Sequence, residues 1–268
     1  VKKALQIGNG LALGSTIFIN YLSNTGLIND TTIGEMSNGY RSVFTPAGYT
    51  FAIWGLIYLL LISFAIYQGR SLFVHVKDDS FVEKIGIWFI LSCVFNSFWV
   101  FAWIYEYTGL SCVLIFLLLI SLIKIVINLG MEHNDGRFPL MAFVWWPFAI
   151  YFGWVTVASI ANVSSYLIKL KWDGFGLPDN TWTIIMICIA VIINLYVMWK
   201  RNMRAFTLVG AWALIGIGVA NSAVNEIITT TTFIAAAILI TTNGIHGFKN
   251  LSANPFAKYR EWQAEKKS

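Results

Sequence analysis

The chain has 268 residues, of which 57% are hydrophobic and only 12% charged, whereas a soluble domain carries about 25% charged residues. So little polar side chain cannot cover a water-soluble globule of this size, and an integral membrane protein is expected. The formal net charge of +5 reads as orientation and lipid-headgroup contact and gives no support for nucleic-acid binding.

Eight apolar runs are long enough to span a hydrocarbon core, at roughly 4–22, 47–68, 85–105, 109–129, 139–167, 182–199, 205–225 and 227–245. The expected fold is therefore an all-α, polytopic bundle of about eight transmembrane helices. Loop signals separate the runs: Asn29 and Asp30, Asp78 and Asp79, Asn134 to Gly136, and Asp173 to Pro178. Lys2 and Lys3 precede the first run as in a secretory signal, but no small-x-small cleavage site follows at Asn20 to Thr25, so this run is read as a spanning helix. Because Val1 is not Met, preceding sequence such as a targeting peptide is expected to be missing.

The second, third and fifth runs carry polar and aromatic residues at helical spacing. Trp54 and Tyr58 are four apart; Asn96, Trp99 and Trp103 three and four; Trp154, Ala158 and Asn162 four and four. Each set shares a helix face, and at about 1.5 Å of rise per residue most of them fall in the same half of the bilayer. Two readings stand at this point. The rings pack helices and the asparagines bond neighbouring helices, or the three stripes wall a ligand chamber. An aromatic content of 16% exceeds what interfacial belts use, which favours some rings lining a cavity.

Between the first two runs, residues 23–45 form a loop longer than a helix connection needs. Gly26, Gly34 and Gly39 leave it conformable, as a lid or as a disordered connector. The last three runs include a small-residue stretch with Gly210, Gly216, Gly218 and Ala220, suited to close helix contact, which favours a packing appendage over a second binding site.

All but three of the 18 Lys and Arg residues fall on one side of this map; Arg41, Lys169 and Lys171 fall on the other. The cation-rich side, which holds both termini, is expected to be cytoplasmic or its organellar equivalent, in a bacterial inner membrane or an organellar membrane. Cys93, Cys112 and Cys188 have no metal-ligand spacing and are expected to be free thiols, and His75, His133 and His246 fall at the cation-rich side, so no metal site is expected. Lys124 lies near a helix end and is expected to snorkel; no carboxylate occupies a bilayer centre, which weakens a proton-coupled pump, and no Lys deep in a late helix suits a retinal linkage.

The sequences Trp54-Gly55-Leu56-Ile57-Tyr58, Asn96-x-x-Trp99-x-x-x-Trp103 and Trp154-Val155-Thr156-Val157-Ala158-x-x-x-Asn162 resemble, in kind and in order, the signatures of the TspO/translocator-protein family, also called tryptophan-rich sensory proteins. The resemblance runs over roughly residues 4–168 and suggests a longer form with a C-terminal extension. It implies a five-helix bundle that binds tetrapyrroles, sterol-like lipids or drug-like aromatics beneath the first loop. Trp154 and Ala158 then correspond to the ligand-contacting pair, and Trp54, Asn96 and Asn162 to pocket or packing positions. Two prolines depart from the family pattern: Pro46 precedes Ala47, Gly48 and Tyr49, and Pro147 stands seven residues before Trp154.

The expected organisation is a five-helix bundle over 1–168, a three-helix extension over 169–248 and a basic tail over 249–268. The expected function is a receptor or carrier for a planar hydrophobic ligand: a porphyrin-type tetrapyrrole, a carotenoid or a lipid. Its expected contacts are Trp54, Tyr58, Asn96, Trp99, Trp103, Trp154, Ala158 and Asn162. Two alternatives are an accessory subunit of a larger membrane complex and a porphyrin-degrading enzyme with Trp154 as the redox-active neighbour, although no side-chain chemistry here indicates catalysis. Partners are membrane lipids, the ligand, and a homodimer or larger complex. In a chain lacking its own cysteines, new ones placed in the first loop and just after Lys169 are expected to react with an impermeant maleimide from outside, and one near Asn202 is not; reversed labelling at any of the three overturns the eight-helix map.

Overall fold

A computed structural model describes residues 1–76, 78–131, 136–251 and 255–265. Lys77, His133, Asn134, Asp135, Lys266 and Lys267, which entered the sequence reading, lie outside the described residues. The described residues form the all-helical bundle that the apolar runs imply. Five long helices come first: α1 (Lys2–Leu22), α3 (Ile53–Gly69), α5 (Trp88–Ile104), α6 (Thr108–Leu129) and α8 (Trp146–Lys169). Three more follow, α9 (Asp179–Arg201), α10 (Arg204–Asn221) and α11 (Glu226–Lys249). The short helices α2 (Ile33–Gly39), α4 (Phe81–Ile85) and α7 (Phe138–Leu140) lie in connections, and α12 (Pro255–Glu265) follows α11.

Among the described residues, six helical stretches are long and apolar enough to cross a membrane: those centred on α3, α6, α8, α9, α10 and α11. The two other long helices fall short for different reasons. α5 is apolar but has 17 residues, about 25 Å of rise, so it reaches across only a thin hydrocarbon layer. α1 has 21 residues but carries Gln6, Asn9, Thr16 and Asn20. These four are buried on the inward face while Leu11 and Phe18 are exposed, so α1 is polar inside and apolar outside, the reverse of a soluble amphipathic helix.

That inward stripe bonds α1 to its neighbours. Asn9 Nδ2 donates to Gln68 Oε1 of α3 at 2.9 Å, Thr16 Oγ1 to the Cys93 carbonyl of α5 at 3.0 Å, and Asn20 Nδ2 to Asn96 Oδ1 of α5 at 2.8 Å. At the cation-rich end, Lys2 Nζ meets Asp79 Oδ1 at 2.8 Å, tying the start of α1 to the segment before α4.

α8 runs through the middle, in contact with α3, α6 and α10, with nearly every residue from Pro147 to Val157 buried. Pro147 lacks an N–H and would crowd the carbonyl four residues back; the π-type turn Met141–Trp145 lies just before it and absorbs the mismatch, so the helix continues. Gly153 of α8 lets α10 approach: a Cβ there would lie 3.0 Å from the Phe206 carbonyl and 3.1 Å from Val209 Cβ. The last three helices thus join the first five along the α8/α10 contact, and α9, α10 and α11 touch one another. α2 begins with a capping box in which Thr32 Oγ1 accepts from the Glu35 N–H and the Glu35 carboxylate accepts from the Thr32 N–H.

Asn96 sits where three helices meet, accepting from Asn20 and donating from Nδ2 to Tyr151 Oη of α8 at 3.1 Å. Truncating it leaves the buried Tyr151 hydroxyl unpaired and takes one of the two bonds of the Asn20 amide, which keeps its bond to the Thr16 carbonyl, so Asn96→Ala is expected to lower stability by about 1–2 kcal/mol. Thermal unfolding of the detergent-purified variant measures this, and an unchanged midpoint would show that the bonds contribute nothing net.

Candidate functional site: two aromatic chambers under the first loop

Six of the eight residues singled out by helical spacing line one chamber: Trp54 of α3, Trp99 and Trp103 of α5, and Trp154, Ala158 and Asn162 of α8. Tyr58 lines a second chamber, which Trp54 also borders. Asn96 lines neither; its amide accepts from Asn20 and donates to Tyr151.

The first chamber is small, about 50 Å³. Its walls are set by bonds between helices. Trp99 Nε1 donates to Asn162 Oδ1 at 2.7 Å, and Asn162 Nδ2 donates to Ser111 Oγ at 2.8 Å and to Cys112 Sγ at 3.1 Å. Trp103 Nε1 donates to the Ile33 carbonyl at 3.3 Å, and the Trp99 and Trp103 rings stack 6.0 Å apart. Asn162 is therefore a bracket that holds Trp99 against α6. Trp154 differs. It is 2% exposed, Phe51 and Trp54 meet its ring edge-to-face at 5.8 and 6.3 Å, and its buried Nε1 has no hydrogen-bond partner. A buried indole N–H normally finds an acceptor.

The second chamber is larger, about 470 Å³, and lies between α1, α3 and the first loop, with Asn20, Asn24 and Tyr58 among its lining residues. Tyr58 stacks on Trp54 at 5.6 Å, and its buried hydroxyl also has no partner. Ile33, Phe51 and Trp54 border both chambers and so form the partition between them. Neither chamber has a carboxylate, histidine or cysteine among its lining residues. Among the described residues no three His, Cys, Asp or Glu side chains gather in a way that could hold a metal ion.

The roof comes from the first loop, which contributes Ile33, Ser37, Thr45, Pro46 and, at the start of the second span, Phe51. Spacing arguments within the apolar runs missed these positions; the Thr32 to Glu35 capping box was the available signal for α2. The roof is fastened at both ends. On one side Tyr40 Oη donates to Glu106 at 2.6 Å, with Lys169 at 3.7 Å from the same carboxylate. The bond to that carboxylate is the main cause of a Tyr40 phenol pKa above its ordinary value, so the phenol keeps the proton it donates at neutral pH. On the other side α10 takes the backbone of the stretch from Arg41 to Thr50. The Ala47 N–H donates to the Gly216 carbonyl at 3.0 Å, Asn221 Nδ2 to the Val43 carbonyl at 2.9 Å, Trp212 Nε1 to the Thr50 carbonyl at 3.1 Å, and Arg41 to the Ala220 carbonyl at 2.8 Å.

A tryptophan-walled chamber between the second, third and fifth long helices, under the first loop, is the arrangement implied by the family resemblance. The family profile described as TSPO-like protein matches residues 6–245, about nine-tenths of the chain. The chain belongs to the TSPO-like protein family. The match extends well past the motifs, which ended near residue 168, and takes in α9, α10 and most of α11. No curated protein and no solved structure matches the chain. In this TSPO-like protein the additional helices do more than pack, because α10 seats the roof.

Gly216 sets that seat, since a Cβ there would overlap the Thr50 side chain. Gly216→Val is therefore expected to loosen the roof by about 1–2 kcal/mol, a change of roughly five- to thirtyfold in opening. In a Cys188→Ser background, which removes the exposed native thiol, the maleimide labelling rate of Thr45→Cys reads this; equal rates with and without the Gly216→Val change would mean that α10 does not hold the loop.

Proposed function

We propose that this membrane protein is a receptor or carrier for a planar hydrophobic molecule, a porphyrin-type tetrapyrrole or a sterol-like lipid, taken up through the larger chamber and seated against Trp154. The observation that carries the reading is the Trp154 indole: buried, edge-on to two aromatic rings, and with a donor left without an acceptor. Such a group loses free energy unless something fills the position it faces, and a ligand carbonyl, carboxylate or ring nitrogen supplies the acceptor. Tyr58, unpartnered in the adjoining chamber, offers a second polar contact on the path. Aromatic walls and few polar groups suit recognition by stacking and burial.

The volumes give the mechanism its order. The 470 Å³ chamber is of ligand size, whereas the 50 Å³ chamber is not. Trp54 and Phe51 are only half-buried, so on this reading the ligand displaces this partition and joins the two spaces, while the bracketed walls made by Trp99 and Asn162 stay in place. With the cation excess facing the cytoplasm or its organellar equivalent, both termini lie there and the chambers open towards the opposite face. The small size of the first chamber also supports a second reading, in which the aromatic site is collapsed and the protein serves as an accessory subunit of a membrane complex.

Ala158 lies one helical turn after Trp154 and lines the same chamber. Ala158→Thr is expected to crowd the seat by about 1–3 kcal/mol, weakening a soluble porphyrin's affinity roughly 5- to 150-fold in titrations read by quenching of Trp fluorescence. An unchanged titration in a folded variant would reduce the aromatic stripe to helix packing and leave the accessory-subunit reading.

A further inference from the structure

The largest of these cavities, about 940 Å³, lies at the opposite end of the bundle from the aromatic chambers. It is bordered by the end of α3, the segment around α4, the linker into α7 and the C-terminal α12. Among the described residues three cations line it, Arg70, Lys84 and Arg137, with one carboxylate, Asp78. Asp78 Oδ1 already accepts from the Ser80 N–H at 3.0 Å, and none of the three cations forms an ion pair with a described carboxylate within 4.0 Å. Arg70 is half-buried and Lys84 and Arg137 are exposed, so the three cations stand where an anion from outside can reach them, and their summed field attracts one.

The floor is aromatic. Tyr67 stacks with Phe81 at 5.6 Å and with Phe143 at 5.2 Å, and the Arg70 guanidinium lies 3.6 Å from the Tyr67 ring centroid. That contact orients the guanidinium and leaves its N–H groups available, which is the geometry in which arginine binds phosphate with two parallel bonds. Trp145, which also lines the cavity and is 3% exposed, has a buried Nε1 with no hydrogen-bond partner. Leu129, Leu140 and Phe143 continue the lining with apolar surface.

We propose that this cavity is a binding site for a phosphate-bearing anion, with the phosphate held by Arg70 and Arg137, Lys84 adding its field, and an attached hydrocarbon chain lying over Leu140 and Phe143. An anionic phospholipid headgroup supplies all three features at the membrane boundary, where cations attract acidic lipids. The site is separate from the aromatic chambers and independent of what they bind.

The test uses the full chain, delipidated in detergent, with phosphatidylglycerol, phosphatidylcholine or inorganic phosphate as probes and native mass spectrometry counting the adducts. The expected result is saturable one-to-one retention of phosphatidylglycerol, at least about tenfold tighter than phosphatidylcholine, because the choline cation is repelled by the cluster. Retention is expected to fall by about tenfold or more in the double variant Arg70→Gln, Arg137→Gln. If that variant does not purify folded, the exposed Arg137→Gln alone carries the comparison. Saturable binding of inorganic phosphate with the same dependence on the arginines would also support the site and assign it to a soluble phosphate. Equal retention of the two lipids without phosphate binding, or undiminished retention in the arginine variants, would overturn it.

Discussion

The stretch from Arg41 to Thr50 is irregular backbone at one end of a membrane bundle, and its attachment to α10 is the constraint on which the candidate site depends. Peptide groups at such a depth need partners within the protein, since lipid supplies none. Three hydrogen bonds to α10 supply partners, through the carbonyl of Gly216 and the side chains of Trp212 and Asn221, and the Arg41 guanidinium adds a fourth bond by donating to the Ala220 carbonyl. The bond between Ala47 and Gly216 is the one backbone-to-backbone contact of the four, and it forms because Gly216 has no Cβ to meet the Thr50 side chain. Without that seat Thr45, Pro46 and Phe51 would not be held over Trp154, and the chamber would have walls but no roof.

Polar side chains inside this bundle fall into two groups that the same residue types do not distinguish. Asn20, Asn96 and Tyr151 satisfy one another across α1, α5 and α8, and Trp99, Asn162 and Ser111 do the same across α5, α8 and α6. Such bonds contribute modestly to stability in a membrane, and their larger effect is to fix which faces meet. Trp154 Nε1 and Tyr58 Oη are buried without partners. The bonded groups thus brace the helices, and the two unpartnered donors lie beside the braced walls.

The two ends of the molecule are chemically unlike. Around the aromatic chambers the charged groups are confined to the rim, where Tyr40, Glu106 and Lys169 link the loop, the α5–α6 turn and the end of α8. The other end gathers Arg70, Lys84 and Arg137 around one cavity, with Arg70 lying over the Tyr67 ring. The spaces at the two ends thus differ in character, aromatic and free of lining carboxylates at one end and cationic at the other.

Much of this was written in local sequence. Apolar run length set the number and limits of the long helices to within a few residues, because a hydrocarbon layer admits little else, and three- and four-residue spacing grouped Trp54, Trp99, Trp103, Trp154, Ala158 and Asn162, which line one cavity. Spacing also included Asn96, and could not tell that its amide is bonded to Asn20, a residue in another run. The inward polar stripe of α1 was visible as Gln6, Asn9, Thr16 and Asn20 at helical intervals, yet its meaning depends on which face meets α3 and α5. The roles of Phe51 as partition, of Gly216 as the seat of the roof and of Trp145 beside three cations were decided only by tertiary structure. Each joins residues tens to more than a hundred positions apart, and such contacts follow from how helices dock, which periodicity along a single helix does not specify.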